Sequence, residues 1–319
     1  MDDTSYISMS NIFSIGFYNL ENLFDPFDKD TNLDKDFTPK GKFKWDQEKY
    51  CQKIDHLSMA ISKMGLMRSN TPPVLLGVCE VENESCLKDL VMSVPLKNFN
   101  YGYVFHKSAD PRGIHVALLY QKNHFKVLTC TAHSLDLKIE SKTEYTRDIL
   151  HVVGILFGEK IHLVLNHWPS RTDGTQKTNH KRVIASNLVQ DIIHQIAQKE
   201  VGANILVMGD FNDDPSSESV KVFTSKGFLN PMTDFQKQKK GSVKFKGKWI
   251  IFDQILFNKN LQEASWFNYL EAHIFVEPAL IQKTGRYKGS PKRTFTGNYH
   301  QGGYSDHFPV FIYFENTSA

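Results

Sequence analysis

Residues Asn204 to Pro215 read NILVMGDFNDDP. The apolar run Ile205 to Met208 is too short for a buried helix and has the length of a strand covered on both faces. Gly209 ends the run, and Asp210, Phe211, Asn212, Asp213, Asp214 and Pro215 follow. If strand geometry persists past the glycine, the Asp210 carboxylate and the Asn212 amide, two positions apart, point the same way. The carboxyl ends of strands are where α/β sheets usually meet their ligands. A plain Asn-Asp-Pro turn has the same composition. Taken by itself, the stretch reads as a turn.

Other stretches change that reading. Tyr304 to Val310, YSDHFPV, opens the last apolar strand and sets Asp306 beside His307. Trp249 to Phe257, WIIFDQILF, carries the single acid Asp253 in an apolar run. Ile12 to Tyr18 reads as a first strand running into NLENLFD, and Pro73 to Cys79 as a buried strand ending in EVENE. Ile149 to Phe157 and Ile161 to Leu165 form an expected hairpin turned by Gly158-Glu159-Lys160; its second strand empties into NHWPSR, Asn166 to Arg171.

Six motifs thus occur in order: YNLEN, CEVEN, NHWPSR, GDFN, FDQILF and SDHFPV. Each lies at a predicted strand end or within a predicted strand. Together they resemble the endonuclease/exonuclease/phosphatase superfamily of metal-dependent phosphoesterases, over nearly the whole chain. A histidine in NHWPSR is similar to the deoxyribonuclease, sphingomyelinase and inositol-phosphatase branches, whereas members that cut abasic DNA carry asparagine-type residues in this region.

A chain of 319 residues has room for one large or two ordinary domains. The motifs run almost from end to end, with no repeat or low-complexity linker between them, so a single domain over residues 1–319 is expected. A net charge of +3 is too small to argue for nucleic acid. No apolar run approaches the length of a membrane helix. The start, MDDTSYISMSNIF, lacks a basic region followed by an apolar core. A cytoplasmic monomer with no membrane insertion and no protein partner is expected, although a trimmed secreted chain would look the same. Cys51, Cys79, Cys86 and Cys130 include no C-x-x-C pair and are expected to be buried free thiols.

Two substantial helices punctuate the strands. Asp46 is the expected N-cap of one, with Tyr50, Ile54, Leu57, Ile61 and Met64 on one face and Gly65 as its stop. The other places Val183, Ile184, Leu188, Ile192 and Ile196 at helical spacing. A short helix is expected near residues 217–225, and a strand with a turn, or a strand pair, over 264–275. The element count suggests two packed sheets with helices outside. The resemblance sharpens this to an α/β fold, a four-layer α/β/β/α sandwich of two packed mixed sheets with the site at one edge.

Hydrolysis of a phosphodiester needs a hard cation, an activated water and positive charge on the non-bridging oxygens. Magnesium accepts few carboxylates and several waters, so one or two acids suffice. The resemblance implies Mg2+, with Mn2+ as the alternative. It implies Glu80 as the first metal ligand, Asn19 beside the metal and Asp306 as a metal-proximal acid. His307 is then the general base, or the group holding phosphate if the water is activated elsewhere. Asp253 would be costly to bury unpaired, and pairing with His307 would fix the imidazole tautomer; a lysine partner is the alternative. Asp210 and Asn212 orient the water or assist the leaving oxygen, and Asn212 contacts phosphate. His167 is the implied donor to phosphate. Arg112, in SADPRG, and Arg171, in NHWPSR, are either phosphate and rim contacts or solvated surface. Glu82 and Glu84 read as helix-start acids, and Asp213 and Asp214 as loop acids.

The substrate class stays open between a nuclease-like phosphodiester, a lipid or sugar phosphate, and ligand binding without turnover. Two basic loops bear on it. Lys237 to Lys248 interleaves lysines with Phe245 ahead of Trp249, and Lys283 to Arg293 reads KTGRYKGSPKR. Basic residues alternating with aromatics suit a nucleic-acid backbone and its bases. They equally suit other anions or plain solvation.

Overall fold

The computed structural model describes residues 11–27, 35–139, 142–172, 174–245, 247–263 and 266–317. The chain start, part of the charged connection from Pro26 to Trp45, Lys246 in the first basic loop and the first two positions of the 264–275 segment lie outside the described residues.

Short apolar runs become the strands of two sheets. In chain order these are β1 (Ile12–Leu23), β2 (Leu75–Val81), β3 (Tyr101–Phe105), β4 (His115–Gln121), β5 (Phe125–His133), β6 (Ile149–Leu156), β7 (Glu159–His167), β8 (Ile205–Asp210), β9 (Phe228–Leu229), β10 (Asp253–Asn258), β11 (Phe267–Ile274) and β12 (Val310–Asn316). The first sheet has the order β11-β12-β1-β2-β4-β3 and the second β9-β10-β8-β7-β6-β5. Each sheet holds one parallel pair, β1 with β2 and β7 with β8, among antiparallel neighbours. Both sheets are therefore mixed.

Residue alternation builds the layers. Along β8, Leu206 and Met208 face the first sheet, whereas Ile205 and Val207 face outward. Between the sheets Phe13, Phe17, Leu163, Leu165, Ile255 and Ile312 close an apolar layer. Each such fully buried side chain contributes about 1.5–3 kcal/mol. Helices α1 (Gln47–Lys63) and α2 (Glu84–Met92) cover the outer face of the first sheet, and α3 (Thr175–Lys199) and α4 (Glu218–Ser225) that of the second. This is the α/β/β/α order that the motifs imply. Asp46 caps α1 through its side chain, which accepts from the Lys49 amide at 3.0 Å, and Gly65 follows at φ +77°.

Several boundaries differ from expectation, for local reasons. β1 continues through Asn19–Leu23 because a bulge advances it four residues while β2 advances two. Trp249 to Phe257 is not one strand. Lys248–Ile250 pairs with Val243–Phe245 in a separate hairpin, and Asp253 opens β10. The β6–β7 turn is the pair Phe157-Gly158, both at positive φ, as a two-residue type I′ hairpin requires. Segment 264–275 supplies one strand, β11, which pairs with β12. Only Cys79 and Cys86 are buried; Cys51 and Cys130 are exposed, and all four are free thiols.

Candidate active site

Strand registers bring the motif residues to one edge of the sandwich. Asn19 lies opposite Cys79, next to Glu80, across the β1–β2 pair. Asp210 lies opposite His167 on β7 and opposite Asp253 on β10. Ser305–His307 lead into β12, which pairs with β1. A side chain at Gly209 would strike the Asn166 backbone, its ideal Cβ falling 2.3 Å from that carbonyl oxygen, so only glycine lets β7 and β8 stay this close beneath the site. Four residues here adopt left-handed φ values: Glu21 (+49°), Asn22 (+55°), Glu80 (+62°) and Asn212 (+48°). Such φ values are uncommon outside glycine, and a cluster of them marks backbone held by its surroundings.

Asn19 joins the sheets. Its Nδ2 donates to Glu80 Oε1 and to Asp210 Oδ2, each at 3.1 Å, while its Oδ1 accepts from the Glu21 amide at 2.8 Å. Set this way, Asn19 offers hydrogens to both carboxylates and holds them. Glu80 Oε2 also accepts from the Asn22 amide at 2.9 Å. His167 Nε2 lies 3.8 Å from both Glu80 Oε1 and Asp210 Oδ2. Burial, together with Arg147 and Arg112, keeps the His167 imidazole well below its ordinary range, so it is neutral.

On the opposite flank His307 Nδ1 donates to Asp253 Oδ2 at 2.7 Å. His307 Nε2 faces Asp210 Oδ2 at 3.9 Å and Asp306 Oδ1 at 3.8 Å. Burial by itself would depress His307, but Asp253, Asp306 and Asp210 lift it well above the usual histidine range. Burial pushes the Asp210 carboxyl up to about 7, against the pull of His307. Burial opposes Asp306 as well, yet His307 and Arg293 hold it below the ordinary carboxylate range. Arg293 Nη2 donates to Asp306 Oδ2 at 2.7 Å.

The donor set suits a hard divalent cation. Glu80 and Asp210 turn oxygens to one shared amide nitrogen, and burial disfavours the ionised form of Asp210 that a cation would stabilise. Among the described residues, two groups of three have ligand atoms within 4.8 Å of one another, Cys79–His167–Asp210 and Asp210–Asp253–His307. Glu80 and Asp306 belong to neither, an arrangement open to an ion that keeps most of its waters.

The remaining expected residues are spread around a cleft of about 400 Å3, lined by Glu80, His167, Asp210, Asn212, Asp306 and His307 together with Arg112, Arg147 and Arg171. Asn212 donates its side-chain amide to the Trp168 carbonyl at 3.0 Å, and its backbone amide to Asp210 Oδ1 at 2.8 Å. Arg112 reaches Asn22 Oδ1 at 2.8 Å. Arg171 is committed to structure: it bonds the Asn212 carbonyl at 2.7 Å, pairs with Asp213 and lies over the Phe252 ring. Asp213 is therefore no loop acid. It is buried between Arg171 and Arg182. Glu84 does open α2, but Glu82 is buried and accepts from the Asp25 amide at 2.6 Å.

Four site residues carried little sequence signal. Arg147 lines the cleft with Nη1 on Asp110 at 3.1 Å and Nη2 on the Trp168 carbonyl at 2.8 Å. Glu21 accepts from the Thr294 amide and faces Arg293, and Lys53 Nζ lies 3.8 Å from it. The legible hint was Lys53 itself, between Tyr50 and Leu57 on the apolar stripe of α1.

The sequence profile of the Endonuclease/Exonuclease/phosphatase family matches residues 14–316. No curated protein sequence matches the chain. Solved structures do. A mannosyl-6-phosphatase from Bacteroides thetaiotaomicron superposes with TM-score 0.59 at 16% identity, covering 95% of this chain and 99% of that one. The human Nocturnin catalytic domain with bound sulfate gives 0.57 at 15%, covering 96% and 95%. TDP2 from D. rerio in complex with a single-strand DNA product gives 0.57 at 14%, covering 95% and 98%.

Proposed function

Since the chain belongs to the Endonuclease/Exonuclease/phosphatase family, we propose that it is a divalent-metal-dependent hydrolase of phosphodiesters, nuclease-like in substrate. The observation that carries this reading is the convergence of both basic loops on the carboxylate edge. Lys244 and Phe245 from one, and Tyr287 and Arg293 from the other, line the same cleft as Glu80 and His307. Two cationic, aromatic loops around one site suit a substrate that carries charge and rings beside the scissile phosphate.

The cation, Mg2+ with Mn2+ as the alternative, would be held by Glu80 with Asp306 nearby and would supply Lewis-acid stabilisation of the phosphoryl oxygens. Asp210, whose Oδ1 is fixed by the Asn212 amide, orients the attacking water and takes its proton. His307, kept cationic by Asp253, turns Nε2 toward a non-bridging oxygen. Neutral His167 donates a second hydrogen bond there, and Asn212 lies alongside. Asn19 holds Glu80 and Asp210 in place. Arg112 and Arg147 supply positive charge at the rim and floor.

The test is hydrolysis of bis-p-nitrophenyl phosphate against p-nitrophenyl phosphate with Mg2+, Mn2+ or EDTA, followed by DNA and RNA oligonucleotides. Metal-dependent cleavage of the diester is expected. Preference for the monoester would overturn the diesterase reading, and full activity in EDTA would overturn the metal.

A further inference from the structure

Beside the cleft lies a smaller cavity of about 180 Å3, and the two share Asn22 and Arg293. Its lining divides into two walls. One is aromatic: Phe37, Phe43 and Phe295, with ring centroids 4.6 to 6.0 Å apart. Trp45, fully buried, backs Phe37 and Phe295.

The other wall is one hydrogen-bonded unit. Glu21 accepts from the Thr294 amide at 2.6 Å and faces Arg293 Nε at 3.4 Å, while Arg293 reaches on to Asp306. Asn22 completes it, with its backbone amide bonded to Glu80. The partition between the two cavities is therefore built from residues that touch the reacting carboxylates. Lys53 anchors it from beneath, donating to Thr294 Oγ1 and to the Tyr304 carbonyl beside its ion pair with Glu21. A wall held this way needs little ordering when a ligand arrives.

We propose that the Phe37–Phe43–Phe295 cavity is a nucleobase subsite, taking the base of a nucleotide whose phosphate sits at Glu80 and His307. This rests on the phosphodiesterase reading above and narrows its substrate to nucleotidyl esters. A base offers flat π-faces to the phenylalanines and a polar edge to the Glu21–Asn22–Thr294 wall.

The affinity of the protein for AMP and for ribose 5-phosphate, which differ by the base alone, tests the assignment. Both are titrated calorimetrically with Mg2+ present, and inorganic phosphate is assayed in the same cell. AMP is expected to bind at least ten-fold more tightly. Phe43→Ala should shrink that ratio to two-fold or less, and Phe43→Trp should keep it; thermal melts of both variants check the fold. Equal affinities in the native protein overturn the subsite. So does failure of AMP to bind, or a ratio that survives both Phe43→Ala and Phe295→Leu. Binding is read without turnover, so inert diesters would sink the phosphodiesterase reading while the affinity ratio still decides the subsite.

Discussion

His307 works between two acids that ask different things of it. Asp253 fixes the Nδ1 proton, and Asp210 stands across from Nε2. If the imidazolium is the working form, kcat/KM falls as pH rises through the elevated His307 pKa. Asp253→Asn lowers that pKa, so the alkaline limb should move to lower pH by a unit or more in a pH–rate profile. A rising limb that extends toward lower pH in the variant would instead mark His307 as the base. His307→Ala should cut kcat by about 10²–10³ without loss of fold, read by turnover alongside circular dichroism. A second histidine links stability to pH. His115 is buried with Nδ1 accepting from Ser108 at 2.9 Å from its hydroxyl, and burial lowers its pKa to about 4. In the unfolded chain the ring protonates near 6.5, so the contribution is intact above that pH and is lost as pH falls toward 4. The loss is about 3 kcal/mol at full conversion. Denaturant titrations at pH 7 and pH 4 should show His115→Gln flattening that slope.

At the level of the element, the site is made where strands stop being regular. The β1 bulge and the left-handed Glu80 and Asn212 turn side chains out of the pleat and into the cleft. Asn212→Gly relieves the backbone and loses one hydrogen bond, whereas Asn212→Ala loses the bond and keeps the strain. The alanine variant should be about 1 kcal/mol less stable than the glycine one by urea denaturation. These same irregularities limited what the sequence revealed. A strand-end acid is legible because a lone carboxylate interrupts an apolar run, as Asp253 and Asp210 do. A bulge leaves no such mark, so β1 reads as ending at Tyr18 rather than Leu23. The place of Arg147, the pairing of Arg293 with Asp306 and the burial of Asp213 were illegible for another reason. Their partners lie elsewhere in the chain, Asp213 pairing with Arg171 and Arg182, and a loop charge declares itself structural only once its partner is in place.

For the whole molecule, the count of strands and helices suggests two packed sheets with helices outside, whereas the four-layer order and the edge that carries the site came from the family resemblance of the motifs; the angle at which two sheets meet follows from neither. A cation bound only by the folded chain adds stability, about 2.7 kcal/mol at one hundred times its Kd. Mg2+ should therefore raise the Tm of the native protein, and Glu80→Gln should abolish the rise in differential scanning calorimetry.

Asn19 on the first sheet bonds Asp210 on the second, and His307, leading into the first, bonds Asp253 on the second. No single sheet owns a working set of residues. The site is thus indivisible: neither sheet by itself presents a complete set, and whatever loosens the packing of one sheet on the other takes the site apart before it unfolds either.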